Sequence, residues 1–172
     1  MGHRANFVLI RNGEAKAYHD QWAALGCTYA FAGGPADATS AAEQSEPTTE
    51  LLDWAFAEAG FLIDFDEHAA IVFGYPEPID PEELSEFSAE EAAPVSDLDL
   101  ALQKGPLEFL KSIAPRWAGW QLCWDERGVD AFADHLARRA IRSVNTQPKT
   151  HPENYAKESF TAPHLPPIGG SR

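Results

Sequence analysis

Four polar side chains near the amino terminus have the residue types that recognise anions. These residues are Arg4, Asn6, His19 and Gln21. Between them lies Asn12-Gly13, a typical two-residue hairpin turn because both residues tolerate a positive φ. If the chain turns there, Asn6 lies opposite His19 and all four side chains share one face. That face could hold a carboxylate or a phosphate, with the arginine as a planar fork of donors.

His19 is the candidate catalytic residue on this face. A histidine can act as a general base near neutral pH, but the sequence pairs no nucleophile with His19. The same four residues also fit a solvated face, or a buried hydrogen-bond network that holds the terminus in place. We therefore do not favour an enzyme, and a ligand site at this face is an alternative hypothesis.

A second group of polar residues has the side chains of a cation site. It comprises Asp64, Asp66, Glu67 and His68. Alternate residues of a strand point the same way, so two of the carboxylates could share a hard cation. A similar segment places Arg127 where His68 stands, and an arginine repels a cation. The shared Asp-Glu pair therefore favours turn or helix-cap chemistry, and we predict neither a metal nor a cofactor.

That similar segment is an internal repeat. Residues 59–68 read AGFLIDFDEH and residues 118–127 read AGWQLCWDER. The alignment matches Phe61 with Trp120, Ile63 with Leu122, Phe65 with Trp124, Asp66 with Asp125, and Glu67 with Glu126. The aromatic residues could stack on a planar ligand, but two strands that face one core explain them more simply. The repeat therefore predicts two similar helix–strand units.

The elements around these motifs follow from periodicity and turn residues. We predict strands at 6–11, 15–22, 61–65, 70–74 and 120–124, and helices at 47–59, from Pro106 to Ala114, and after Gly128. Residues 26–46 are rich in Gly, Ala and Ser and predict no clear element. The mixed order of hairpins and helices favours an α+β fold over a doubly wound parallel sheet. We expect a mostly antiparallel sheet of two hairpins and a further strand, with helices packed on one face.

Charge is unevenly distributed along the chain. The net charge is −14, and residues 75–99 contain nine acidic residues, no basic ones and four prolines. We predict a single domain at 1–143 that carries 75–99 as an exposed acidic loop. Residues 144–172 contain five prolines and have an excess of basic side chains, so we predict an extended tail without a core of its own.

Several of these segments together resemble a group of uncharacterised bacterial proteins of actinobacterial type. Those proteins begin Met-Gly-His-Arg-Ala-Asn, as residues 1–6 do here. They share a segment like Trp54 to Asp64, a Phe-Gly hairpin end like Phe73-Gly74, and a Trp-x-Gly-Trp strand like Trp117 to Trp120. The resemblance covers most of residues 1–137, and it implies no activity and no catalytic residue.

The composition limits the classes of partner. A net charge of −14 argues against binding to nucleic acid or to an anionic membrane, since both need a cationic face. The chain has no apolar stretch of membrane-helix length and no signal peptide at its start. Its two cysteines form no disulfide framework, so we expect a cytoplasmic protein.

Three functions are consistent with these observations. The leading hypothesis is a small acidic binding protein that selects a basic protein partner, as an immunity protein or an antitoxin does. One alternative is an enzyme or small-ligand binder that uses the polar hairpin face. Another is a structural accessory subunit, an oligomer in which residues 138–172 wrap a neighbour.

Overall fold

The computed structural model describes residues 4–51, 58–74, 97–146 and 155–164. The strands are β1 (Ala5–Arg11), β2 (Glu14–Asp20), β3 (Glu46–Thr48), β4 (Glu50–Leu51), β5 (Ala59–Asp64), β6 (Ala69–Phe73), β7 (Gln121–Asp125), β8 (Asn145–Thr146) and β9 (Lys157–Thr161). The helices are α1 (Ala24–Ala32), α2 (Pro35–Glu43), α3 (Asp97–Lys104), α4 (Pro106–Ile113) and α5 (Val129–Arg138), with a 3-10 turn at Ala114–Trp117.

Seven of the strands form one mixed, mostly antiparallel sheet, which confirms the α+β class. The strand order is β3-β2-β1-β5-β6-β7-β9, and β4 and β8 form a separate parallel pair. β1 runs parallel to β5, and β6 runs parallel to β7. The other neighbours in the sheet are antiparallel. None of the helices in the described ranges is both long and apolar enough to cross a bilayer.

The first hairpin has the predicted turn and register. Asn12 and Gly13 have φ values of 54° and 75°, as a turn with two left-handed residues requires. Asn6 pairs with His19, and Phe7 pairs with Tyr18. Because side chains alternate along a strand, this register places Asn6 and His19 on the same face of the sheet.

Both faces of the sheet are covered by helices, so the prediction of helices on one face is wrong. Phe7 and Leu9 pack into a core with residues of the first four helices and with Trp117. Val8 and Ile10, which point to the opposite side, pack into a second core with α5. The whole of β1 from Ala5 to Ile10 is therefore buried, as expected for a central strand between two layers.

The strands of the internal repeat face a common core, as predicted. Phe61, Ile63, Trp120, Leu122 and Trp124 are all buried in the core that contains the first four helices. Within the described ranges, the helix half of the repeat is present in the second copy, where α4 precedes β7.

In the first copy, the helix predicted at 47–59 is wrong at both ends. Residues 46–48 and 50–51 are strands and β5 begins at Ala59, while residues 52–57 lie outside the described ranges. The strand β3 contains Pro47 and occupies the sheet edge, where a missing N–H is tolerated.

Two helices occupy the region for which the sequence predicts no element. α1 buries Cys27 and Phe31, and α2 buries Ala38, Thr39 and Ala42. α2 begins at Pro35 after Gly34, whose φ is 106°, and proline is favoured at the first position of a helix. Small residues on these helices weaken the contrast between buried and exposed sides, which is the signal that periodicity detects.

The carboxyl-terminal residues differ from the predicted tail. Lys157–Thr161 is the edge strand β9 beside β7, and Ala162 is buried in the core. Asn145–Thr146 pairs with Glu50–Leu51. The fold therefore continues past residue 143. Of the predicted acidic loop, residues 75–96 lie outside the described ranges and Asp97 begins α3.

Candidate functional site

The polar hairpin face is only partly assembled in the described structure. Asn6 is fully buried, whereas the His19 side chain is 40% exposed and its Nε2 lies 3.8 Å from Glu46 Oε2. Arg4 and Gln21 lie one residue beyond the paired strands, and the Arg4 carbonyl accepts a hydrogen bond from the Glu58 amide. A ligand site formed by Arg4, Asn6, His19 and Gln21, with His19 as its base, stays a prediction.

The carboxylate of Asp64 at the end of β5 is bound by two parts of the chain. Its Oδ1 accepts hydrogen bonds from the Asp66 and Glu67 amides at 3.0 and 3.2 Å. Its Oδ2 lies 2.8 Å from His135 Nε2 and also accepts a hydrogen bond from Arg139. The Asp64 side chain has no exposed area. Burial would raise the pKa of Asp64, but the bonds from Arg139 and His135 lower it below its usual value.

Asp66 connects three elements of the fold. Its carboxylate accepts hydrogen bonds from the Asn12 and Gly13 amides at 2.7 and 2.8 Å, and Arg139 Nη2 lies 3.0 Å from its Oδ2. The two turn amides, with Arg139, lower the pKa of Asp66. Asp66 therefore joins the turn of the first hairpin and the turn of the second to the end of α5.

These contacts bear on the cation hypothesis. Asp64, Glu67 and His135 each offer a ligand atom within 4.8 Å of the others. However, Arg139 binds Asp64, and Arg138 forms two hydrogen bonds to Glu67. Arg138 lowers the pKa of Glu67. Arginine side chains thus balance these carboxylates, and the residues fit an ion-pair network better than they fit a metal centre.

The end of β7 has a similar aspartate. Asp125 is 2% exposed, and its Oδ1 accepts a hydrogen bond from the Arg127 amide at 3.0 Å. The Arg127 guanidinium binds both Asp125 oxygens and also Asp134. By its contacts Asp125 corresponds to Asp64, whereas the sequence alignment pairs it with Asp66. The repeat is therefore shifted by two residues at the strand ends.

His68 lies apart from these carboxylates, against Trp120. Their rings are 5.0 Å apart and nearly parallel, and Trp120 meets Phe65 edge to face at 5.5 Å. The Arg11 guanidinium lies 4.3 Å above the Phe65 ring. These four side chains form a row along one end of the sheet. Arg11 was not predicted as a site residue, since a single cation at the end of a strand is not a specific pattern in the sequence.

Two side chains of α1 contact the end of β6 and the start of α3. The Thr28 hydroxyl donates to the Gly74 carbonyl at 2.7 Å, and the Tyr29 hydroxyl donates to Asp99 Oδ1 at 2.7 Å. Two consecutive residues of α1 therefore bind Gly74, just after β6, and Asp99, in the first turn of α3. Burial and the bond to Asp99 raise the pKa of Tyr29 to about 12.

The surface around α1 also exposes large apolar side chains. Trp22 is 62% exposed, Tyr29 is 42% exposed and Leu100 is 46% exposed. Asp97 and Asp99 lie in the first turn of α3, next to Leu100. We refer to Trp22, Tyr29, Asp97, Asp99 and Leu100 as the α1 surface. Aromatic side chains with adjacent charges are the composition of many protein interfaces.

Comparison of this chain with protein-family models, with curated proteins and with solved structures finds no match in any of the three. The function is therefore argued from the chain's own residues.

Proposed function

We propose that this protein binds a basic protein partner without catalysing a reaction, and that the α1 surface forms part of the binding site. The observation that carries the proposal is that acidic side chains of α3 and exposed apolar side chains lie around α1. Tyr29 of α1 donates a hydrogen bond to Asp99 in the first turn of α3, where Leu100 is exposed. Trp22, which precedes α1 by two residues in sequence, is exposed as well. Apolar anchors and acidic charge therefore belong to one region of the molecule.

The charge of the whole chain supports a basic partner. The described ranges contain 18 acidic and 11 basic residues, and the full chain has a net charge of −14. Three of the basic side chains, Arg127, Arg138 and Arg139, form ion pairs with carboxylates of the same chain. A field of this sign attracts cationic proteins and accelerates their association at low ionic strength.

The exposed apolar residues can supply binding affinity, which surface charge alone does not provide. Rim charges mainly change the association rate, whereas buried aromatic anchors contribute most of the affinity of an interface. Tyr29 lies in α1 and Trp22 precedes that helix by two residues, and both side chains are exposed. Such a pair can occupy a pocket or a groove of a partner.

The proposal includes a cytosolic location, where immunity proteins and antitoxins also act. Cys27 and Cys123 are both free thiols, which is ordinary in a reducing compartment. We favour this function over an accessory subunit with a wrapping tail, since β9 completes the sheet of its own chain.

The test is affinity capture from the native host with the full chain as bait, followed by a binding titration with the isolated partner. We expect a partner with a basic isoelectric point, whose affinity falls at least about tenfold when the salt concentration rises from about 50 to about 500 mM. A partner whose binding does not change with salt, or the absence of a basic partner, would contradict the proposal.

Two variants separate the α1 surface from general charge. Trp22→Ser and Asp97→Lys should each weaken binding, because one removes an apolar anchor and the other reverses a charge in the α1 surface. Glu14→Lys is the matched control, since Glu14 is also exposed but lies at the tip of the first hairpin. Equal losses for Asp97→Lys and Glu14→Lys would show that net charge alone, and not the α1 surface, selects the partner.

A further inference from the structure

A groove beside α2 shares none of its lining residues with the α1 surface. It has a volume of about 630 Å³, which is within the range of small-molecule sites. One wall is the side of α2 that carries Thr39, Ser40 and Glu43, and the other is formed by Arg11 and Phe65. Both strand ends and a helix contribute, so the groove depends on the folded structure.

One wall of the groove contains a buried hydroxyl that has no partner. Thr39 is 7% exposed, and its Oγ1 makes no hydrogen bond within the described ranges. A buried polar atom without a partner has lost its hydrogen bonds to water without replacement, which costs stability. A ligand that supplies a donor or an acceptor at this position would recover that cost.

The groove also carries two opposite charges that do not neutralise each other. Arg11 and Glu43 both line it. Within the described ranges, neither side chain lies within 4.0 Å of an oppositely charged group. The Arg11 guanidinium lies on the Phe65 ring at 4.3 Å. A stacked guanidinium keeps its N–H groups, which lie in its own plane, available for a carboxylate. Glu43 is the last residue of α2, and the carboxyl end of a helix also favours a cation.

We propose that this groove binds a small zwitterion, either a free amino acid or a dipeptide. The carboxylate of the ligand binds Arg11, its ammonium group binds Glu43, and a polar atom of the ligand meets the Thr39 hydroxyl. A simple anion would bind Arg11 but would be repelled by Glu43. A simple amine would bind Glu43 but would be repelled by Arg11. The pair of separated charges therefore selects for a ligand that carries both.

The test is a titration of the ¹⁵N-labelled full chain, followed by amide correlation spectra. The probes are the standard L-amino acids and the glycyl dipeptides made from them, each at up to about 10 mM. We expect shifts of the Thr39, Ser40 and Gln44 amides with at least one probe. Binding of a free amino acid would identify amino acids as the ligand class, whereas binding of dipeptides alone would identify dipeptides. An absence of shifts at these amides with every probe would overturn the proposal.

Blocked forms of the best probe test the need for both charges. The N-acetylated form lacks the ammonium group and the amidated form lacks the carboxylate, so each should bind at least about tenfold more weakly. If either blocked form binds as tightly as the parent compound, the zwitterion hypothesis is wrong.

Variants assign the contacts to residues. Arg11→Gln and Glu43→Gln should each lower the affinity at least about tenfold, and Thr39→Val should lower it by a smaller factor while it leaves the free protein folded. Lys16→Gln and Glu14→Gln, which remove exposed charges on β2, are the matched controls and should leave the affinity unchanged. Equal effects of Glu43→Gln and Glu14→Gln would overturn the proposed contact with the ammonium group.

Discussion

β5 and β7 both end at a buried aspartate, but the two carboxylates are connected to different parts of the chain. Asp64 at the end of β5 binds His135 and Arg139, which are 71 and 75 residues away in sequence. Asp125 at the end of β7 binds the Arg127 side chain, only two residues away. The same local feature, an aspartate that accepts amides of the following turn, thus supports a long-range contact at one end and a local contact at the other.

The difference shows which strand end holds the layers of the fold together. α5 begins close to Asp125 in sequence and ends beside Asp64, so it crosses the sheet between the two ends. Asp64, together with Asp66, attaches the far end of α5 to both hairpin turns. Asp125 organises the start of the connection into α5. We therefore expect the two aspartates to contribute differently to global stability.

The largest effect should come from Asp64→Asn, with Asp125→Asn as its matched comparison. Asparagine keeps one oxygen that accepts the turn amides, but it replaces the second, charged oxygen with an N–H donor group. Asp64→Asn leaves the largely buried His135 without its carboxylate and Arg139 with Asp66 alone, and it should lower the free energy of unfolding by about 3 kcal/mol. Arg127 keeps Asp134 as a partner, so Asp125→Asn should cost about 1 kcal/mol. Urea unfolding of the two variants measures both values, and equal losses would refute the comparison.

A smaller and more local effect should follow Asp66→Ala. This change removes the acceptor for the Asn12 and Gly13 amides and one of the two carboxylates bound by Arg139. We expect faster hydrogen exchange of these two turn amides, with a loss of stability below that of Asp64→Asn. Unchanged exchange at Asn12 and Gly13 would mean that the turn does not depend on Asp66.

The pH dependence of stability should differ in sign between the two regions. Asp64, Asp66 and Glu67 have pKa values below their ordinary values of 3.8 and 4.5. Their stabilisation is therefore complete above those ordinary values and is lost as the pH falls below them, through the lowered pKa values of the folded protein. Near β7, burial raises the pKa of Glu126, so its ionisation opposes folding as the pH rises past 4.5.

Glu126→Gln tests this second sign. Glutamine still accepts the hydrogen bond from the Trp124 indole, which is 2.6 Å long in the native protein. The variant should be more stable than the native protein at pH 7, and the gain should disappear in acid, where Glu126 is protonated. Thermal unfolding across the pH range measures the difference between the two proteins. A gain that persists unchanged in acid would exclude ionisation as its cause.

The smallest effect should come from Lys157→Met on β9. The Lys157 ammonium lies 3.9 Å from Asp125 and its side chain is 52% exposed, so water screens the pair. We expect a change in the free energy of unfolding below about 0.5 kcal/mol. A much larger loss would show that Asp125 depends on β9 as strongly as Asp64 depends on α5.

The first hairpin, α4, α5 and the strands of the repeat could be predicted, because local residues specify them. Asn12-Gly13 determines the turn and hence the pairing of Asn6 with His19. Alternating bulky residues identify β5 and β7, and their burial in one core confirms the interpretation of the aromatic residues. The α1 and α2 helices were missed since their small residues carry little periodic contrast.

The candidate sites could not be predicted in the same way. Thr28 and Tyr29 contact Gly74 and Asp99, and Arg11 meets Phe65. Each contact joins residues from separate elements. No spacing in the sequence marks such pairs, because the distance along the chain says nothing about which loops meet at the edge of a sheet.

The amino-acid sequence by itself determines the α+β class, the first hairpin with its register and the acidic character of the protein, since these depend on neighbouring residues and on composition. The layer to which each helix belongs, the partners of Asp64 and Asp125, and the groove beside α2 depend on how the strands are ordered in the sheet. In that order β1 and β5 are central strands that are buried on both faces. Their burial depends on layers formed by distant segments, so no single segment of the sequence predicts it.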